Sequence, residues 1–255
     1  MKNTLHKAAF EAGKIIKEYF AGTFKIESKD IISNIVTEVD KKSESKIIEI
    51  IKADFPEHNI LSEEIGALET DSEYKWVIDP IDGTINFAHG IPICCISIGV
   101  EKEGEIIYGL VYNPMSEELF YAEKGKGAYL NEKRISVTKE NNLRKSLLVT
   151  GFPYVSKNCP YKPVESFKRF IDLDIPIRRL GSAALDLCWT ALGRFDGFWE
   201  YNLNPWDVAA GYLIMTEAGG KVTDFKNGKF SIYEKEILAT NGLIHNEMLK
   251  VLMNL

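Results

Sequence analysis

What this chain lacks narrows its function first. No apolar stretch approaches the roughly 20 residues that a helix needs to cross a bilayer, and Ile91 to Val100 is the longest run of that kind. The N-terminal segment carries Lys2, Lys7 and Glu11 among its apolar residues, so no signal-peptide core is expected there. The four cysteines, Cys94, Cys95, Cys159 and Cys188, have no CxxC spacing. That argues against a zinc knuckle or a thioredoxin motif and for free thiols in a reducing compartment, so a cytoplasmic protein is expected. His6, His58, His89 and His245 form no HExxH pair, and there is no G-x-S-x-G elbow, Walker loop or GxGxxG. Gly181-Ser-Ala-Ala lacks the second glycine that a pyrophosphate loop uses. Positive charge is also short: 31 Lys and Arg face 37 Asp and Glu, a net −6. Arg178-Arg179 and Lys168-Arg169 are small clusters rather than a basic, aromatic-rich nucleic-acid stripe.

What remains is ordinary folding material and an unusual set of acids. Apolar residues make up 45% of 255 residues, enough for a large core, with no linker, repeat or low-complexity tract. The spacing of Leu5, Ala8, Ala9, Ala12, Ile15, Ile16 and Tyr19 predicts an amphipathic helix over 4–20. A second is expected over 40–54, with Ile47, Ile48, Ile50 and Ile51 inward and its lysines and glutamates outward. Short strands are expected at 59–61, 74–78, 94–101, 105–112, 119–122 and 128–130. After about residue 146, strands at 147–150, 177–180, 195–199 and 237–240 alternate with helices at 162–171, 182–192, 205–218 and 243–252. The reading is one compact layered α/β domain over 1–255, with subdomains 1–145 (α+β) and 146–255 (α/β).

Asp79-Pro80-Ile81-Asp82-Gly83-Thr84 follows directly on the strand Trp76-Val77-Ile78. Pro80 fixes φ and Gly83 permits a tight bend, so two carboxylates can converge where ligands bind at strand ends. Converging carboxylates repel unless a cation lies between them, and all-oxygen ligation suits Mg²⁺ or Mn²⁺. The plainer role for Asp79 and Asp82 is to cap turn amides. Glu63, after another short strand, and Asp207, behind an expected N-cap at Asn204 and Pro205, add two more acids at element ends. A first-turn aspartate also favours the helix dipole on its own.

Taken together, Glu63-Glu64, DPIDGTINF (79–87) and PWDVAAG (205–211) resemble the signatures of the inositol monophosphatase family. The likeness also includes Lys29, the stretch VTEVD (36–40), Gly151-Phe152-Pro153-Tyr154, Gly181-Ser182-Ala183-Ala184 and Glu217-Ala218-Gly219-Gly220, nearly the whole chain. The resemblance implies a layered αβαβα sandwich and Mg²⁺-dependent hydrolysis of a small phosphate monoester by a metal-activated water, inositol 1-phosphate being the leading substrate. Fructose 1,6-bisphosphate or 3′-phosphoadenosine 5′-phosphate is the alternative within the superfamily. It implies metal ligation by Glu63, Asp79, the Ile81 carbonyl, Asp82 and Asp207 for two or three ions.

It further implies catalytic roles for Thr84, Asp40 and Glu63, phosphate contacts from the Gly83 and Thr84 amides, and substrate contacts from Gly181, Ser182, Ala183, Glu200, Asp207 and Lys29. A homodimer goes with the family, and one bacterial relative associates with transcription complexes, so an RNA polymerase contact is a secondary possibility. Each assignment has a plainer competitor: Asp40 and Ser182 as N-caps, Thr84 as a capping residue, Glu200 as an edge-strand charge and Lys29 as a surface lysine. Ile85, Ser182 and Asn34 depart from the usual family pattern and bear on substrate preference.

Overall fold

A computed structural model describes residues 1–28, 35–153 and 162–253. The expectations for Lys29, Asn34, Tyr154 and Cys159 fall outside these residues. The first half runs α1 (Lys2–Tyr19), β1 (Ile26–Ser28), β2 (Ile35–Thr37), α2 (Glu38–Asp54), β3 (Asn59–Ser62), β4 (Gly66–Leu68), β5 (Tyr74–Asp82) and α3 (Thr84–Ala88), then β6 (Cys95–Lys102), β7 (Glu105–Asn113), β8 (Glu118–Glu123), β9 (Gly127–Leu130) and β10 (Lys133–Arg134). The second runs β11 (Leu148–Thr150), α4 (Pro163–Ile171), β12 (Ile177–Arg178), α5 (Ala183–Ala191), β13 (Gly197–Tyr201), α6 (Pro205–Glu217), β14 (Lys221–Thr223), β15 (Glu236–Thr240) and α7 (His245–Met253).

Strand alternation dictates the layering. In β5, Trp76 and Ile78 join Leu5, Ala8, Ala12, Ile47 and Ile51 of α1 and α2 in one core, whereas Val77 faces the other way. There it meets α5, α6 and one face of a second sheet, through Val149, Phe198, Ile237 and Ala239. That sheet's opposite residues, Leu148, Trp199, Tyr201 and Leu238, pack on Phe170 of α4 and Met248 of α7. The layers are therefore α, β, α, β, α. The large sheet has the order β10-β9-β8-β7-β6-β5-β3-β4 and the smaller one β12-β11-β13-β15-β14. The middle core draws on both halves of the chain.

Three details correct the sequence reading. The helix expected from Asp40 begins at Glu38, and its N-cap is Thr37, with Asp40 in the third helical position of a capping box. Glu44 does not join the outward glutamates of α2 but is buried. Glu200 is not an edge-strand charge: β13 is the middle strand of its sheet, and Glu200 is buried in it.

Helix α6 sits unusually close to the large sheet because glycines face it. A Cβ on Gly109 would lie 2.7 Å from the Ala210 carbonyl oxygen, and one on Gly99 would lie 2.9 Å from the Ala209 Cβ. Gly99 and Gly109 are cross-strand partners, so together they form a seat for a helix that carries Asp207 in its first turn. Gly109→Ala should therefore cost about 1–3 kcal/mol by overpacking. Chemical denaturation would show this as a lower midpoint; an unchanged midpoint would mean that the seat is not close-packed.

Candidate active site

The acids converge because of strand register. Strands β3 and β5 pair in parallel, with Ser62 opposite Ile78, so the next residues, Glu63 and Asp79, emerge side by side at the same sheet end. The Glu63 N–H donates to the Ile78 carbonyl at 3.2 Å and fixes that neighbourhood. In a regular strand, residues three apart point to opposite faces. Between Asp79 and Asp82, however, the pairing with β6 shifts: Asp79 faces Ser97 and Asp82 faces Cys95. One extra residue on β5 forms a bulge and brings both aspartates to the same side. Pro80, without an N–H, fits such a bulge, and the Ser43 hydroxyl donates to its carbonyl at 3.0 Å.

Gly83 then turns the chain with φ of +91°, and a Cβ there would come within 2.7 Å of the Ile93 carbonyl oxygen. A side chain at this position would be both strained and crowded. The turn starts α3 at Thr84, whose Oγ1 lies 3.0 Å from Asp40 Oδ1 and 2.9 Å from the Ile81 carbonyl oxygen. Its single proton can go to only one of them. Asp40 Oδ2 in turn accepts from the Thr37 N–H at 2.8 Å and the Thr37 hydroxyl at 2.6 Å, so the carboxylate is locked in place.

From the other layers, Ser182 Oγ and the Ala184 N–H each donate to Asp82 Oδ2 at 2.7 Å. Ser182 also caps α5, accepting from the Leu185 N–H at 3.4 Å, so its capping role and its contact with the acidic centre coexist. The Asn204 N–H donates to Asp207 Oδ2 at 2.7 Å at the start of α6, in line with the expected cap. Glu200 projects from β13 and packs so tightly on Gly151 that a Cβ on that glycine would lie 2.1 Å from Glu200 Oε1.

Glu63, Asp79, Ile81, Asp82, Gly83, Thr84, Gly181, Ser182, Ala183, Glu200 and Asp207 all line one cavity of about 310 Å³. Asp40 stands behind it, bonded to Thr84 of the lining. Phe152, Pro153 and Arg179 also line it; of these the sequence reading passed over Arg179, whose signal was a basic pair before the Gly181 loop. It also passed over Glu44, whose signal was its place one helical turn after Asp40, and over Asp186. Asp186 is buried on α5, and among the described residues its Oδ1 has no hydrogen-bond partner.

Burial and mutual repulsion give the site its electrostatics. Burial, then the charges of Glu63, Asp82 and Asp207, hold the Asp79 carboxyl well above the usual carboxylate range. Asp207 is raised in the same way by burial and then Asp82. Asp82 is pushed up to about 6, burial being only partly offset by its Ser182 and Ala184 hydrogen bonds. Glu200 is raised by burial, then by Asp207 and Asp82, with Arg179 opposing. Such a set protonates readily when it is alone and favours a cation between its members.

Among the described residues, no three His, Cys, Asp or Glu side chains form a preformed metal cage. That does not count against a hard divalent ion of the Mg²⁺ type, which keeps several waters and is completed by substrate phosphate rather than by an all-protein cage. An all-oxygen donor set under like-charge repulsion fits that kind of ion.

The chain matches the model of the inositol monophosphatase family over residues 1–254. It is 43% identical over 226 residues to the chloroplastic phosphatase IMPL1 of Arabidopsis thaliana, covering 86% of this chain and 61% of that protein. It is 43% identical over 247 residues to an inositol-1-monophosphatase of Synechocystis, covering 96% of this chain and 86% of that one. A Nus factor SuhB of Haemophilus influenzae is 42% identical over 251 residues, covering 98% of this chain and 94% of that one. Among solved structures, the suhB protein of Bartonella henselae superposes with a TM-score of 0.93 at 36% identity, over 98% of this chain and 97% of that one. An inositol monophosphatase from Anabaena gives a TM-score of 0.89 at 41% identity, over 99% and 95%. The bulged acidic strand, the Gly83–Thr84 turn and the capped Asp207 thus come with a whole-chain match, and the chain belongs to the inositol monophosphatase family, whose members are phosphoric monoester hydrolases.

Proposed function

We propose that this chain hydrolyses the phosphate monoester of a small polyol, inositol 1-phosphate first, by in-line attack of water and without a phosphoenzyme. The observation that carries the reading is the arrival of Glu63, Asp79, Ile81, Asp82 and Asp207 from three separate segments in the cavity that also holds Thr84. Glu63, Asp79 and the Ile81 carbonyl would hold one Mg²⁺, and Asp79, Asp82 and Asp207 a second. Glu63 would also serve a weaker third, and Mn²⁺, being an equally hard oxygen-seeking ion, would substitute. Bound there, the ions lower the pKa of a water, offset phosphate charge and align the displacement.

The protein's own groups do the rest. With its proton directed to ionised Asp40, Thr84 Oγ1 keeps lone pairs that accept from the attacking water and orient it. The Gly83 and Thr84 amides, at the opening of α3, receive the phosphate. Glu200 accepts from substrate hydroxyls, and Gly181, Ser182 and Ala183 line the polyol. Lys29, the remaining substrate contact that the resemblance implies, lies outside the described residues.

The substrate is decided by a panel of inositol 1-phosphate, fructose 1,6-bisphosphate and 3′-phosphoadenosine 5′-phosphate with Mg²⁺. The highest kcat/KM is expected for inositol 1-phosphate, with activity lost in EDTA. A higher kcat/KM for either other ester overturns the substrate, and full turnover in EDTA overturns the metal. Relatives named Nus factor SuhB favour a second role, association with a transcription complex. A pull-down of RNA polymerase at physiological salt tests it, and repeated absence removes it. No described helix is long and apolar enough to cross a membrane. We read the protein as a cytoplasmic homodimer; a monomeric mass by analytical ultracentrifugation would contradict the dimer.

A further inference from the structure

Glu44 is a buried acid that the phosphatase reading leaves unused. Its Oε1 accepts from the Ser62 hydroxyl, from the Glu64 N–H at 3.1 Å and from the Ile65 N–H at 3.3 Å. These donors bracket Glu63 on both sides. The Glu63 N–H is itself tied to Ile78, directly before Asp79. The backbone of the turn that presents Glu63 is therefore held by two anchors: β5 on one side and Glu44 on the other.

Helix geometry explains why Glu44 can do this. Asp40, Ser43 and Glu44 are spaced i, i+3, i+4 and so share one face of α2. Each reaches a different segment of the site: Asp40 reaches Thr84 at 3.0 Å, Ser43 reaches the Pro80 carbonyl at 3.0 Å, and Glu44 reaches the turn after β3. One rigid helix thus references three separately folded pieces to each other.

We propose that Glu44 is a positioning residue for Glu63: it sets the turn so that the Glu63 carboxylate meets the cation shared with Asp79. This rests on the reading of Glu63 as a metal ligand. Because all three hydrogen bonds end on one oxygen, it is acceptor geometry rather than charge that matters. An amide oxygen offers the same two lone pairs as one carboxylate oxygen and can face the same three donors, whereas a methyl group can accept none.

Direct Mn²⁺ binding, followed by the electron paramagnetic resonance of the free ion, separates the possibilities. Glu44→Ala is expected to weaken binding about tenfold or more, in the range seen when groups that orient metal ligands are removed. Glu44→Gln is expected to stay within about threefold of the unsubstituted protein on the same grounds. Glu63→Gln reports on the underlying reading: if it leaves Mn²⁺ binding unchanged, Glu63 is not a ligand, and that reading fails. If Glu63→Gln weakens binding but a folded Glu44→Ala protein does not, the positioning role is overturned while the metal site stands. Glu44→Gln weakening binding as much as Glu44→Ala would overturn the acceptor mechanism. Should Glu44→Ala fail to fold, Ser62→Ala decides, since it removes one donor from the same oxygen: weaker Mn²⁺ binding supports the role, and unchanged binding overturns it.

Discussion

Asp82→Asn is expected to lower Mg²⁺-dependent kcat/KM by about 10³-fold or more, the scale on which several kcal/mol of charge stabilisation are lost, and at the same time to stabilise the metal-free protein. The substitution is nearly isosteric, and the asparagine oxygen can still accept from Ser182 and Ala184, which now hold Asp82 Oδ2 at 2.7 Å. What disappears is a negative charge buried beside Asp79 and Asp207. In the metal-free protein that charge is a burden, which is why the Asp82 carboxyl titrates at about 6 instead of its ordinary 3.8. A carboxyl with a raised folded value binds more protons folded than unfolded between those two values. Stability is therefore full below the unfolded value and falls as pH rises through about 6. For Asp82 alone the loss is on the order of 3 kcal/mol.

Thermal melts in EDTA across pH 4 to 8 should show Asp82→Asn more stable than the unsubstituted protein at the upper end and nearly equal at the lower. Turnover is measured in parallel with saturating Mg²⁺. Full activity would remove Asp82 from the metal assignment, and superimposable pH–stability curves would remove the electrostatic account. The two readouts move in opposite directions, so generalised damage to the fold cannot mimic the result.

The same residues show how far the sequence could be read. Asp79, Asp82 and Asp207 were recognisable by motif, and Asn204-Pro205 announced the α6 start because capping chemistry is local. The start of β5 at Tyr74 was equally legible, but the strand expected to end at residue 78 runs on to Asp82. What could not be read is non-local. Nothing near Glu63 encodes that β3 lies parallel to β5 with Ser62 opposite Ile78, and the bulge appears only once Asp79 and Asp82 are matched to Ser97 and Cys95. Glu44 looked like one of several solvated glutamates because its partners, Ser62 to Ile65, are distant in sequence. Glu200, read as a substrate contact, could equally have been an edge charge, because strand order in the second sheet is set by tertiary packing. The hairpin of β1 and β2 escaped notice for the opposite reason: β1 is exposed throughout, so no apolar alternation marks it. The isolated chance of each aspartate being a simple turn cap also came out partly true. Asp79 Oδ1 accepts from the Ile81 N–H at 3.0 Å, so local capping and placement in the cavity are performed by one side chain.

Thr84→Val is expected to reduce kcat by about 10²–10⁴-fold, the usual contribution of a group that moves or orients a proton in the transition state, with KM changed little. Valine matches threonine in shape and Thr84 takes no part in the α2 cap, so the protein should still fold, at a cost of about 1–3 kcal/mol for the acceptors that lose the hydroxyl. The hydroxyl is needed because it connects the cavity to Asp40, 3.0 Å behind it. Asp40 must be ionised to take the Thr84 proton and leave the oxygen lone pairs for water. Burial pushes the Asp40 carboxyl up to about 6, against the opposing Thr37 hydrogen bonds. Protonation then fills its acceptor, so kcat should fall on the acid side as pH drops through that region. A cation nearby shifts the limb to lower pH, because it favours the ionised form.

Thr84→Ser keeps the hydroxyl and should retain both most of the rate and the acid limb. Asp40→Asn should lose rate together with the limb, because asparagine does not titrate. Steady-state kinetics from pH 5 to 8 on these three variants separates the roles. Wild-type kcat in Thr84→Val would remove the hydroxyl from the reaction. An acid limb that persists unchanged in Asp40→Asn would assign it to another acid. Asp40→Asn keeps an oxygen that can accept from the Thr37 N–H and hydroxyl, which now hold Asp40 Oδ2, and turns its amide towards Thr84, so α2 should stay capped; a folded Asp40→Asn protein that loses rate as Thr84→Val does attributes the shared loss to the Asp40–Thr84 hydrogen bond rather than to the helix.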